Sequence, residues 1–378
     1  MNRKLKLAYI GWAHSIHTQR WVTWFAKRGH EVHLITDHPY PIDGIKIYEL
    51  KRGKNIIPIN IFRINFKLHL LSTYLKIRRL VKEIAPDILH LHTLYFPSYL
   101  GSLVNFKPIV VMPWNGDIIW KQNRSFFHEC IVKRSLRLAD AIPLQTDYLK
   151  DRCVELGADK KKIELVQFGV DFDRFKFDGS AEYVKHELKL DTNNIVITTR
   201  SIAYNISTIV ESIPMVTKAI PDAKFVFIWP NTEKESSSIV KRIKELGIEN
   251  SVRIVGRITV HNDVAKYLFI AKTFVSVSEI DCFPQSALEA MAMKVFPVMG
   301  DIAPIREYIT DKINGILVNP IDVNSVAKGI IDSLIMSKDG RADIVERNYQ
   351  FVRNQADFNK EMQKMESLYY KLLEESKK

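Results

Sequence analysis

Apolar positions along this chain gather into short runs, and the stretches between them repeat at helical spacing. "LKLAYIG" ends in Gly11 and is followed by a helical pattern from His17 to Gly29, then by a second run, "EVHLIT". "DILHLH", "PIVVMPW", "DAIPLQ" and "KIELVQFG" extend the series, separated by amphipathic stretches such as "SFFHECIVKRSLRLA" and "TDYLKDRCVELG". The rhythm then restarts with "NIVITTR", "KFVFIWP", "SVRIVGR", "TFVSVS" and "VFPVMG", with helices predicted over Ser207–Ile220, Glu233–Leu246 and Asn262–Ala271. Short, near-continuous apolar runs alternating with helices are the pattern of parallel strands buried on both faces. The pattern predicts an α/β protein of two Rossmann-like, doubly wound parallel-sheet domains. The polar junction "GVDFDRFKFDGSAEY" divides them, which sets residues 1–172 as the first domain and 173–350 as the second. Residues 351–378 carry no further strand and read as a C-terminal helix returning toward the first domain.

Composition narrows the class. At 378 residues, 46% hydrophobic and 26% charged, the chain has room for two cores of roughly 150 to 200 residues each. Three widely spaced cysteines, Cys130, Cys153 and Cys282, argue against a disulfide framework and a zinc site, and fit a reducing cytosol. The first apolar run stops at His14 and His17, which suits a strand and not a signal peptide. No run approaches the ~18 to 20 apolar residues that span a bilayer. The net charge of +12 is concentrated: between Gly44 and Glu83 lie ten basic residues and two acids, a surplus of +8. Those cations interleave with Ile, Phe and Leu, so residues 44–83 suit either an anionic membrane surface or a core helix with a solvated basic face. No nucleic-acid motif accompanies the charge.

Ligands of open parallel sheets bind beyond the carboxyl ends of the strands. There the stretch "SEIDCFPQSALEAMA" comes directly after the run "TFVSVS" and brings Asp281 and Glu289 to the mouth of an apolar helix. Pro284 suits the first turn, and the amides of Gln285 and Ser286 would form a helix N-terminus able to hold an anion. Glu289, one turn inside, could accept hydroxyls of the same ligand, with Asp281 on its other side. Arg200, ending "NIVITTR", is the cation that would offset the two acids. On spacing alone, Asp281 reads equally as a helix cap and Glu289 as a solvated acid.

These residues carry a resemblance. "FGVDFDRF" resembles the Gly-Val-Asp-x-x-x-Phe junction of family 4 of the retaining glycosyltransferases, and "ADAIPLQTDYLKDRCVELGADKKKIELV" the segment leading to it. "DCFPQSALEAMAMKVFPV" is similar to that family's signature of two acids eight residues apart, and "APIREYITDKINGILVNPID" to the segment after the signature. The resemblance runs nearly end to end. It implies the GT-B fold, two such domains facing across a cleft, and transfer of a sugar from a UDP-, GDP- or ADP-sugar to a glycan or lipid-linked acceptor with retention of configuration. It implies that Glu289 holds the ribose, that Asp281 contacts the sugar and that Arg200 stabilises the departing diphosphate. Amides near Gly11 and in the Asp281 loop, with Phe283, Gln285 and Ser286, would help bind the donor. No cofactor and no metal are expected.

Three positions depart from the family pattern. Asp281 stands where many members have glutamate. Asn205 stands where a lysine is common, so Arg200 needs help, for which Arg257 is the candidate. Trp114 stands where many carry a histidine, leaving Asp117 and His92 as acceptor-side candidates. Each has a bland alternative: His92 as a satisfied strand-end histidine, Asp117 as a cap. Two rival functions share much of this reading, a GT-B-type sugar-nucleotide epimerase and a non-catalytic sugar-nucleotide or membrane-binding protein. A nicotinamide dehydrogenase is disfavoured, since "YIGWAHSIH" offers one glycine where the dinucleotide fingerprint needs three.

Overall fold

A computed structural model describes residues 3–50, 59–119, 126–176, 182–199, 204–228, 233–256 and 261–376, with side chains described except at 59–69, 126–127, 182, 233–236 and 261–263. The chain forms two units: Met1–Val166 with Met362–Lys378, and Gln167–Glu361. Unit 1 is built on β1 (Lys6–Ile10), β2 (Glu31–Thr36), β3 (Lys46–Glu49), β4 (Ile88–Leu91) and β5 (Ile109–Val111), in the order β3-β2-β1-β4-β5 with every pair parallel. β6 (Ile142–Leu144) and β7 (Ile163–Leu165) form a parallel pair beside β5, joined to it by the bridge between Val110 and Ala141. In unit 2, β8 (Ile195–Thr198), β9 (Lys224–Ile228), β10 (Val252–Val255), β11 (Thr273–Ser276), β12 (Phe296–Gly300) and β13 (Ile316–Val318) run in the order β10-β9-β8-β11-β12-β13, again all parallel.

The central strands are buried throughout, as near-continuous Val, Ile, Leu and Phe requires when helices cover both faces. The predicted strands all occur. β3 and β13 were not predicted: "KIYE" is half polar, and "ILV" is too short to stand out by period.

The boundaries fall differently from the polar junction. Val170 pairs with Asp357, its N–H donating to the Ala356 carbonyl at 2.7 Å while Phe358 N–H donates to the Val170 carbonyl at 3.0 Å. Gln167 N–H likewise donates to the Glu361 carboxylate at 2.8 Å. These bonds bind residues 167–172 to unit 2, so the seam lies six residues earlier than expected. Gly169 makes the pairing fit: its φ is +68°, and a Cβ there would lie 2.7 Å from the Phe358 Cα. The C-terminal stretch is two helices, Lys338–Gln355 in unit 2 and Phe358–Glu375, whose residues from Met362 onward belong to unit 1.

Beyond β3, the described part of the basic segment is the helix Ile59–Ile84. Ile77, Leu80, Val81 and Ile84 are buried, with Arg78, Arg79 and Lys82 exposed. That half is a core helix with a basic outer face. One turn earlier, Leu71 and Leu75 are 54% and 49% exposed. Among the described residues, no helix is long and apolar enough to cross a membrane.

Candidate active site

In unit 2, the chain leaves β11 at Ser276 and passes Ser278 and Asp281 before Pro284 turns it into the helix Gln285–Ala292. Pro284 occupies the N-cap with φ −69° and ψ 137°, and no side chain caps the helix. Asp281 and Glu289 are 6% and 5% exposed. The bland readings of this pair therefore fail: Asp281 is not the cap, and Glu289 is not solvated. Burying a carboxylate costs several kcal/mol unless partners offset it. Gln285 supplies one, its Nε2 donating to Glu289 Oε1 at 3.3 Å and to the Gly169 carbonyl at 2.8 Å.

The same edge carries polar atoms that the protein leaves unsatisfied. Gln285 Oε1 and the hydroxyls of Thr198, Thr199, Ser276, Ser278 and Ser286 are buried without a protein hydrogen-bond partner. They lie at the carboxyl ends of the neighbouring strands β8 and β11 and at the start of the helix. An orphaned buried polar group costs about 1 to 3 kcal/mol, and a concentration of them marks a place that water or a ligand completes. Phe283, expected near the donor, stacks on Tyr308 with ring centroids 4.3 Å apart and belongs to the core. Asn205 begins the helix Ile206–Ala219 at φ 56° and donates to Glu279 at 3.0 Å. Asparagine tolerates this left-handed backbone better than lysine would. Arg200 and Arg257 lie outside the described residues.

In unit 1, Gly11 follows β1, and its amide donates to the Ile35 carbonyl at 3.3 Å. A Cβ at Gly11 would approach the His92 Cβ to 3.3 Å. His92 is fully buried at the end of β4, with its ring 5.0 Å from Trp21 and 5.5 Å from Trp114. Its Nδ1 lies 3.4 Å from His90 Nε2, His90 Nδ1 lies 2.5 Å from the Tyr369 hydroxyl, and that hydroxyl lies 3.0 Å from the Tyr9 hydroxyl. His92 Nε2 is buried without a protein hydrogen-bond partner. Burial pushes the His90 imidazole down to about 3 and His92 well below its ordinary range, so both rings are neutral at neutral pH.

Asp117 Oδ2 accepts three hydrogen bonds: from Leu94 N–H at 2.8 Å, Trp114 N–H at 2.8 Å and the Thr93 hydroxyl at 3.0 Å. Burial raises its carboxyl above the usual range, against the lowering effect of these donors. Its observed geometry is that of a cap tying the loops after β4 and β5 together. The structure brings Asp117, His92 and Trp114 to one edge of unit 1, and Asp281, Glu289, Gln285 and Ser286 to one edge of unit 2. Sequence reasoning missed the hydroxyls of β8 and β11, although Ser and Thr closing the runs "NIVITT" and "TFVSVS" were a signal for them. It also missed Tyr369, which reaches β4 from 279 residues away in the chain.

Residues 6–146 match the family model described as glycosyl transferase 4-like, and residues 180–351 that of the glycosyl transferases group 1. An uncharacterized glycosyltransferase of Methanocaldococcus jannaschii is 20% identical over 360 residues, 86% of this chain and 88% of that protein. The sucrose-phosphate synthase of Thermosynechococcus elongatus shares the fold with a TM-score of 0.80 at 17% identity, over 98% of this chain and 99% of that one. Anabaena HepE, solved with UDP and glucose, does so with a TM-score of 0.77 at 12% identity, over 97% and 100%. The two family matches run along most of the chain, one in each unit, and with this fold they establish that the protein belongs to the group 1, family 4-like glycosyltransferases and is an enzyme of the GT-B class.

Proposed function

We propose that this glycosyltransferase is a retaining enzyme that moves a hexose from a nucleoside-diphosphate donor to a hydroxyl of a glycan or lipid-linked acceptor, in the synthesis of a cell-surface polysaccharide or glycolipid. The observation that carries the donor side is the edge of unit 2, where two buried acids flank an uncapped helix start among unsatisfied hydroxyls. Helix amides and hydroxyls suit a diphosphate, and a buried carboxylate one turn inside suits a diol. On this reading Glu289 accepts from the ribose hydroxyls, Asp281 contacts the transferred sugar, and Arg200, helped by Arg257, stabilises the leaving diphosphate. That HepE was solved with UDP supports a uridine donor among the candidates.

The bond from the sugar C1 to the diphosphate oxygen breaks as the acceptor oxygen bonds to C1 on the same face. A phosphate oxygen of the leaving group takes the acceptor's proton. Donors preorganised toward the leaving oxygens carry most of the acceleration. His92 offers its Nε2 on the acceptor side in this scheme, and Asp117 holds the loop that carries Trp114. The leaving charge is met by amides and arginine, so we expect catalysis without a metal, and chelation by EDTA should leave turnover intact. Leu71, Leu75, Arg78, Arg79 and Lys82 on the outer face of the helix Ile59–Ile84 support binding to an anionic membrane surface.

The test is incubation with UDP-, GDP- and ADP-sugars, with and without a glycan or lipid extract, followed by NMR of the products. Nucleoside diphosphate release accelerated by the extract, with the new glycosidic bond in the donor's anomeric configuration, is the expected result. Inverted product would overturn retention. Isomerised donor without transfer would identify an epimerase, and binding without turnover a non-catalytic protein.

A further inference from the structure

Aromatic rings line the carboxyl edge of unit 1 from one strand to the next. His38 follows β2, His14 and Trp12 follow β1, Tyr95 follows β4 and Trp114 follows β5, and those four strands are neighbours in the order β2-β1-β4-β5. The rings touch in series: His38 to His14 with centroids 5.3 Å apart, His14 to Trp12 at 6.3 Å, Trp12 to Tyr95 at 5.4 Å and Trp12 to Trp114 at 5.6 Å. The two indole planes meet at 87°, which makes a corner. Trp12, Tyr95 and Trp114 are half-buried and His14 is exposed, so the row is part of the surface. Beside Trp114, Gly116 is exposed and a Cβ built on it meets nothing within 4 Å.

Three large rings held half in water at strand ends add little to a core that is already closed below them. Their supports lie beneath: Asp117 Oδ2 accepts from the Trp114 backbone N–H, and the Tyr95 hydroxyl donates to the Gly11 carbonyl at 3.4 Å. A rigid aromatic face flanked by polar tips matches a ligand with one apolar C–H face and a rim of hydroxyls. An acyl chain would call for a trough without imidazoles, and a phosphate for lysine or arginine, neither of which belongs to the row.

We propose that Trp12, Tyr95 and Trp114 form the stacking platform for a pyranose ring of the acceptor, with His14 and His38 meeting its hydroxyls. This rests on the transferase reading and narrows it: the acceptor is a glycan terminus, and a lipid, where present, lies beyond that sugar.

The test is saturation-transfer NMR of the wild-type protein with methyl glycosides of glucose, galactose, mannose and N-acetylglucosamine, with laurate and uridine as competing classes. At least one glycoside should receive saturation at its ring C–H protons. Its affinity should fall at least tenfold in Trp12→Ala and in Trp114→Ala, with most of it kept in Trp12→Phe, in proteins of wild-type circular dichroism. Binding by none of the four glycosides, saturation of laurate or uridine alone, or undiminished glycoside binding in both alanine variants would overturn the platform. UDP calorimetry on the same wild-type sample separates the two levels. UDP binding without glycoside binding keeps the transferase reading and loses this inference, whereas binding of neither loses both.

Discussion

Glu289 is held out of water one turn inside its helix, and on the proposed reading it receives hydrogen bonds from the ribose. A charge-assisted bond is worth about 1.5 to 3 kcal/mol. Glu289→Ala should therefore weaken nucleotide binding roughly 10- to 100-fold, and Glu289→Gln, which keeps an acceptor oxygen, should lose less; calorimetry would separate the two. The buried histidines make a different prediction. Unfolded histidine protonates below about pH 6.5, whereas His90 in the fold stays neutral down to about 3. The unfolded state then binds more protons than the native one, so stability falls as pH falls through that window. From pH 7 to pH 5 this amounts to about 2 kcal/mol for His90 alone. Urea midpoints should drop over that range, and the drop should be smaller by about that amount in His90→Gln. Equal drops in both proteins would contradict the neutral, hydrogen-bonded pair.

Single elements carry the next layer. Gly169 packs against the start of the last helix beside the Val170–Asp357 pairing and its carbonyl accepts from Gln285, so one backbone position serves both that close approach and the candidate donor site. Gly169→Ala forces a left-handed backbone, at about 1 to 2 kcal/mol, and sets a Cβ against the Phe358 backbone. Thermal melting should show a clear loss of stability with it, and a neutral substitution would mean the backbone relaxes there. The helix Ile59–Ile84 has a sequence that allowed two readings, and its described half shows why. The stripe Ile77, Leu80, Val81 and Ile84 satisfies the core, yet Leu71 and Leu75 remain outside it. Periodicity identifies a buried face but does not say how long that face continues. Binding to anionic vesicles should weaken as salt rises, and Arg78→Glu with Arg79→Glu should weaken it further, at about 1 kcal/mol per cation removed. Salt-independent partitioning, or none, would count against the membrane role.

At the scale of the molecule, parallel sheets were legible because strands covered on both faces must be continuously apolar. "DILHLH" and "TFVSVS" could be placed as strands, and the acids after the second as edge residues, without coordinates. Short edge strands such as β13 were not legible, having too few residues to show a period. Nor was the chain of bonds from Tyr9 through Tyr369 and His90 to His92, because contacts between distant segments leave no local pattern. The aromatic row was hidden for the same reason, since Trp12, Tyr95 and Trp114 become neighbours only through strand order. Asp281 and Glu289 stood in the sequence as two acids with two readings, and their burial removes the solvated one.

On this reading the edge of unit 2 binds a nucleoside-diphosphate sugar through Glu289. Calorimetric titration of the wild-type protein and of Glu289→Ala with UDP, GDP and ADP tests it most directly. One nucleotide should bind the wild type saturably and at least tenfold more weakly in a Glu289→Ala protein that melts like the wild type. Equal affinity in the two proteins, or no binding of any of the three nucleotides, would contradict it.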